Sequence, residues 1–227
     1  ETSSGGDKVY NDMATVTNLA STNTTVTLYA VWTPITYTIN YDGNGESGGS
    51  TASSSHTYDA SKNLTSNSFS KTGYTFQGWA TSSDGAVVYS NGESVLNLTT
   101  TNGATIELYA VWTPTTYTIN YDGNGYDSGS TPASTHTYDV SAALTANGFE
   151  RDDCLFLGWA ETPTGAVVYD DEESVLNLTD VNGDTVTLYA AWIPYIPLTS
   201  DDDDGTIYVG GRMTRNTYRK TEILSLL

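Results

Sequence analysis

The chain has 227 residues and a formal charge of −19, from 27 Asp and Glu against eight Lys and Arg, so its body repels nucleic acid and anionic lipid surfaces. Its single cysteine, Cys154, excludes an intrachain disulfide. No apolar run reaches the ~20 residues that span a bilayer, the best candidate at 188–198 being broken by Pro194 and Pro197.

Read from residue 1, the chain opens inside a repeated unit. Lys8-Val9-Tyr10 lines up with Ala86-Val87-Val88-Tyr89, and Asn18-Leu19 with Asn97-Leu98, which predicts further protein upstream. The phrase Leu28-Tyr29-Ala30-Val31-Trp32 returns at Leu108-Tyr109-Ala110-Val111-Trp112 and, with one change, at Leu188-Tyr189-Ala190-Ala191-Trp192, a period of 80 residues. A tandem array follows. The expected organisation is the C-terminal half of a preceding repeat at 1–34, repeat modules at 35–114 and 115–194, and an acidic linker with a basic tail at 195–227. A bead of this size buries only roughly 60–65% of its unfolded surface, so neighbouring beads are expected to support one another.

Within one repeat, Tyr37-Thr38-Ile39-Asn40-Tyr41 alternates apolar and polar positions and predicts a strand with one buried face. Asp42-Gly43-Asn44-Gly45 tolerates positive φ and turns the chain. A Gly- and Ser-rich loop runs to Ser55, a short strand covers 56–58, and 63–72 is irregular. Residues 74–79 predict a third strand in which Gly78 marks a bulge or a close backbone approach. A turn at Asp84-Gly85 precedes 87–89, and 93–98 reads as one helical turn. The apolar run 106–112 predicts a central closing strand with both faces buried. Pro34 and Pro114 stiffen the links at 33–36 and 113–116, which predicts a rod of beads. In the tail, 206–209 predicts a strand followed by basic residues, so Ile207, Tyr208, Val209, Arg212, Arg215, Arg219 and Lys220 are candidates for an assembly or docking element.

Three ordered motifs recur in register: Tyr-Thr-Ile-Asn-Tyr-Asp-Gly-Asn-Gly at 37–45 and 117–125, Thr72-Gly73-Tyr74-Thr75-Phe76-Gln77-Gly78-Trp79, and Leu-Tyr-Ala-Val-Trp at 108–112. Together they resemble the Listeria-Bacteroides repeat, the B-repeat of internalin-type surface proteins, over about residues 1–194. The resemblance implies mostly β, β-grasp-like modules with little helix, found in tandem on secreted and cell-surface bacterial proteins and scattered through archaeal and phage proteins, without enzymatic activity. The second repeat departs from the pattern where Lys71-Thr72-Gly73-Tyr74 becomes Arg151-Asp152-Asp153-Cys154, which puts the turn there in question.

Candidate chemistry is sparse. His56 and His136 recur in His-Thr-Tyr-Asp with Asp59 and Asp139, too few ligands for a closed zinc site, and read as surface strand histidines. Lys62 and Lys71 become Ala142 and Arg151 one period on, so no isopeptide staple is repeated. Asp42-Gly43-Asn44-Gly45, its partner at 122–125 and the Asp run 201–204 offer oxygen ligands for calcium, but turn chemistry and a solvated linker explain them better. Trp32, Trp79, Trp112, Trp159 and Trp192 could stack on sugars, yet they sit in apolar strands and read as structural core. No Ser/His/Asp set, phosphate-cradling glycine loop or recurring acid pair appears.

These readings predict a non-enzymatic structural repeat protein of an extracellular stalk, fibre or filament, with no cofactor, no metal, no catalytic residue and no membrane insertion. Its expected partner is protein, its own kind included, reached through the tail. A phage virion fibre or decoration protein and a carbohydrate-binding adhesin that takes cell-surface glycan are the alternatives.

Overall fold

The computed structural model describes residues 5, 7–20 and 25–194. These divide into two compact units, one holding 5–44, 50–68 and 78–111 and the other holding 45–49, 69–77 and 112–194.

The first repeat supplies β1 (Thr36–Asp42), β2 (Gly48–Gly49), β3 (Ser54–Thr57), β4 (Lys62–Asn63), β5 (Phe69–Ser70), β6 (Tyr74–Ala80), β7 (Ser94–Val95) and β8 (Thr105–Pro114). They form a four-stranded sheet in the order β3-β1-β8-β6 and two short ladders, β2 with β5 and β4 with β7. β1 is antiparallel to β3 and parallel to β8, with Tyr41 opposite Leu108. A parallel pair needs a long crossover, and 43–104 is that crossover. The second repeat builds the same pattern from β9 (Thr116–Asp122), β10 (Ser128–Gly129), β11 (Ser134–Thr137), β12 (Ala142–Ala143), β13 (Phe149–Glu150), β14 (Cys154–Ala160), β15 (Ser174–Val175) and β16 (Thr185–Pro194). The chain is mostly β, and no helix occurs among the described residues, where the resemblance implied a β-grasp-like module with little helix.

Period-two alternation places the core. Tyr37, Ile39 and Tyr41 of β1, and Tyr117, Ile119 and Tyr121 of β9, are buried, joined by Trp79 or Trp159 and by Leu108 or Leu188. The central strands bury one face rather than the expected two. Leu108 and Ala110 are fully buried while Tyr109, Val111 and Trp112 remain half-buried, because the sheet is mixed and uncovered by helices. Gly158 sits at a bulge in the β14–β16 ladder with φ 143°. A Cβ there would lie 2.6 Å from the Tyr169 carbonyl oxygen, so glycine is required for the backbone to approach that closely.

Three local expectations are corrected. The segment 93–98 holds β7 and no helical turn, because Ser90 and Glu93 close on each other: the Ser90 amide donates to Glu93 Oε2 at 2.6 Å and the Glu93 amide to the Ser90 carbonyl at 3.2 Å. The Glu93 carboxylate reaches back to the Ser90 amide as the glutamate of a capping box does, here closing a turn. The departure at 151–154 keeps its turn, with Asp153 at φ 53° doing what Gly73 does at φ 72°. Residues 7–20 and 25–34 form no strand, and Trp32, expected in the core, is 86% exposed.

Candidate functional site

The histidines are buried, not on the surface as the sequence suggested. On β3 the alternation that buries His56 also turns Ser54 inward, and β1 presents Tyr37 and Tyr41 on the same face. His56 stacks on Tyr37 with centroids 5.5 Å apart. Its Nε2 shares a 2.9 Å hydrogen bond with Ser54 Oγ, which shares another of 3.1 Å with Tyr41 Oη, and the Thr65 amide donates to that phenol at 2.8 Å. Tyr117, Tyr121, Ser134, His136 and the Thr145 amide repeat the chain, at 3.0 Å, 3.0 Å and 2.8 Å. Burial lowers the pKa of both imidazoles, and the Lys62 charge adds to this at His56, so each ring is neutral near pH 7. The Nδ1 atoms are buried without a hydrogen-bond partner. The Thr65 amide bond ties the loop after β4 to the sheet.

The histidines do not meet the aspartates with which they share a motif. Asp59 pairs with Asn97 instead: its amide donates to Asn97 Oδ1 at 2.6 Å and Asn97 Nδ2 donates to its Oδ1 at 2.7 Å. Asp139 and Asn177 repeat the pair at 2.6 Å and 2.8 Å. The Asp-Gly-Asn-Gly segments are turns. Asp42 Oδ1 accepts the Asn44 amide at 2.7 Å, and Asn44 Nδ2 donates to the Ser83 and Ala110 carbonyls at 2.7 Å and 2.9 Å. Lys62 Nζ donates to the Ser55 carbonyl at 2.7 Å. Lys71 Nζ lies 4.7 Å from the centre of the Tyr74 ring.

Trp79 and Trp159 are fully buried, each against a core tyrosine at 4.8 Å. Trp112 and Trp192 are half-buried, each edge-on to a phenylalanine at 5.5 Å, and Trp192 Nε1 donates to the Gly123 carbonyl at 2.8 Å. The tail candidates Ile207, Tyr208, Val209, Arg212, Arg215, Arg219 and Lys220 lie outside the described residues, as does the Asp run 201–204.

Two features escaped the sequence reading. One is a cleft of about 420 Å³ lined by Asn120, Asp122, Tyr126, Thr131, Phe149 and Thr187. The Tyr126 ring packs on Phe149 at 4.7 Å and is 48% exposed. Its counterpart in the first repeat is Glu46, so the missing signal was a difference between copies. The other is a joint inside the second unit. Tyr74 Oη donates to Asp139 Oδ2 at 2.9 Å, the Tyr74 and Tyr138 rings meet edge-on at 6.0 Å, and the Thr115 amide donates to the Gly73 carbonyl at 2.8 Å. The aspartate bond, its field and partial burial together raise the Tyr74 pKa.

Two tandem mixed sheets, each with the same inward Tyr–Ser–His chain and the same Asp–Asn brace, define a modular β-repeat protein. The sequence model of the Listeria-Bacteroides repeat domain matches residues 37–111 and 117–191, and the chain belongs to that family. It is 31% identical over 126 residues to a protein of Evansella cellulosilytica that carries the provisional name Gly-rich membrane protein, covering 54% of this chain and 14% of that one. To a second protein of that organism, provisionally named a membrane protein, it is 28% identical over 168 residues, 73% of this chain and 23% of that one. The chain thus spans less than a quarter of either relative. No solved structure matches it significantly. Among the described residues, no helix is long and apolar enough to cross a membrane.

Proposed function

We propose that this chain is a non-enzymatic structural segment of a cell-surface or extracellular protein, in which the repeats act as spacer modules of a stalk, fibre or filament. One observation carries the reading: what the duplication preserves is scaffold. The recurring polar side chains of both copies bond to the fold itself, His56 and His136 to serine, Asp59 and Asp139 to asparagine, Asn44 and Asn124 to carbonyls. The family and the names of the relatives support a surface or membrane-associated setting. The test is accessibility: antibody against residues 35–194 should label intact cells of the source organism, and protease added outside should remove the epitope. Labelling only after lysis would overturn the reading.

An adhesin role has one observation in its favour, the Tyr126 cleft, where an exposed ring beside Asn120, Asp122 and Thr187 offers stacking and hydrogen bonds to a neutral sugar. A glycan array in which binding is lost on Tyr126→Glu would support it. An array without signal would leave the spacer role alone.

A further inference from the structure

The joint inside the second unit has two halves, and the repeat period places a second copy of one half elsewhere. The donor half is the Gly73-Tyr74 turn. The acceptor half is Thr115, Tyr138 and Asp139. Gly73 is needed there twice over: its φ is 72°, and a Cβ would collide with the Tyr138 ring. Asp139 divides its carboxylate, Oδ1 to Asn177 and Oδ2 to Tyr74.

The period maps the acceptor half onto Ile35, Tyr58 and Asp59 of the first repeat. The same local hydrogen bonds preorganise it: the Tyr58 amide donates to the Ile35 carbonyl at 2.8 Å as the Tyr138 amide does to Thr115 at 2.9 Å. Asp59 holds φ 62° against 59° for Asp139, and its Oδ1 is likewise taken by Asn97. Among the described residues its Oδ2 accepts no hydrogen bond, and the Ile35 amide has no backbone acceptor. Ile35 is half-buried where Thr115 is 4% exposed. The donor half, mapped forward, becomes Asp153-Cys154, which has a Cβ where none fits and no phenol to reach an aspartate.

We infer that Ile35, Tyr58 and Asp59 form a docking surface for the Gly-Tyr turn of another repeat of this family. The surface is polar and shallow: one carboxylate oxygen, one backbone amide and one tyrosine edge, matched to a phenol, a carbonyl and a side-chain-free α-carbon. Joining is consequently directional, since the second repeat presents Asp153-Cys154 and offers no donor turn. This deepens the spacer reading by naming what each module joins to, and it stands or falls separately from where the protein is displayed.

The test extends the full chain with a copy of its own residues 35–79 ahead of Glu1, which completes the half repeat and supplies a Gly-Tyr turn. A control extension carries Asp-Cys at that turn, the pair that the second repeat tolerates with its fold intact. Trp32 fluorescence reports whether the added module forms. With Gly-Tyr, the Ile35 amide should exchange at least about tenfold more slowly than with Asp-Cys, approaching Thr115. Equal Ile35 exchange in both, with Trp32 buried in both, overturns the inference. Should Trp32 stay exposed, the unextended chain carrying Asp153→Gly and Cys154→Tyr supplies the turn in trans. It should then associate head to tail with rising concentration, and Asp59→Ala should reverse this. A chain that stays monomeric to about 1 mM, where a contact worth about −4 kcal/mol would be half formed, overturns it as well.

Discussion

Residues 25–30 and 185–190 spell the same hexapeptide, Thr-Val-Thr-Leu-Tyr-Ala, yet only the second is a strand. Leu188 is fully buried and Leu28 is 52% exposed. Residues 185–189 have β9 on one side, in parallel register from Thr118 to Asp122, and β14 covers the other side of β16. Among the described residues no strand pairs with 25–30. A strand is a half-finished object, since its amides and carbonyls need a neighbour and its apolar face needs a floor. Identical β propensity therefore yields ordered structure in one place and exposed chain in the other.

The comparison is most easily broken by hydrogen exchange. Amides of 186–190 should exchange slower than those of 26–30 by several orders of magnitude, because only the first lie in a strand ladder. Comparable protection would mean that 26–30 is held in a strand ladder as 186–190 is. Truncation is the next lever. Trp79→Ala should cost about 3–5 kcal/mol in urea unfolding, whereas Trp32→Ala should stay within about 0.5 kcal/mol. A large loss at Trp32 would place it in a core. A smaller effect tests whether the closing strand also depends on its bulged neighbour: Gly158→Ala, which forces a Cβ against the Tyr169 carbonyl at a strained φ, should cost on the order of 1–3 kcal/mol. A neutral result would show that the bulge relaxes.

The gentlest test is pH. His56 and His136 have folded pKa values lowered by burial, so below the ordinary value near 6.5 the unfolded chain binds more protons than the folded one. Their contribution is fully present above that value and is lost as pH falls from there toward the folded pKa. Each site changes stability by no more than about 1.4 kcal/mol per pH unit. The Tyr–Ser–His chains exist only in the completed repeats, so replacing both histidines with Asn should flatten the acid limb of the urea midpoint between pH 6.5 and 5. An unchanged slope would assign that limb to the carboxylates.

Much of this protein was legible in its sequence. The 80-residue period, the alternation that buries Tyr37, Ile39 and Tyr41, the Asp-Gly-Asn-Gly turns and the close backbone approach at Gly78 are local facts, written in spacing, glycine placement and pattern. What escaped was decided between residues distant in the chain. His56 reads as a surface residue until β1 lays Tyr37 beside it, and 93–98 reads as a helical turn until β7 pairs with β4. Tyr74 gives no sign that an aspartate 65 positions on accepts its hydroxyl. A repeated sequence specifies a repeated preference, and tertiary structure decides which copies realise it, because hydrogen bonds and buried area come from the neighbours each segment has.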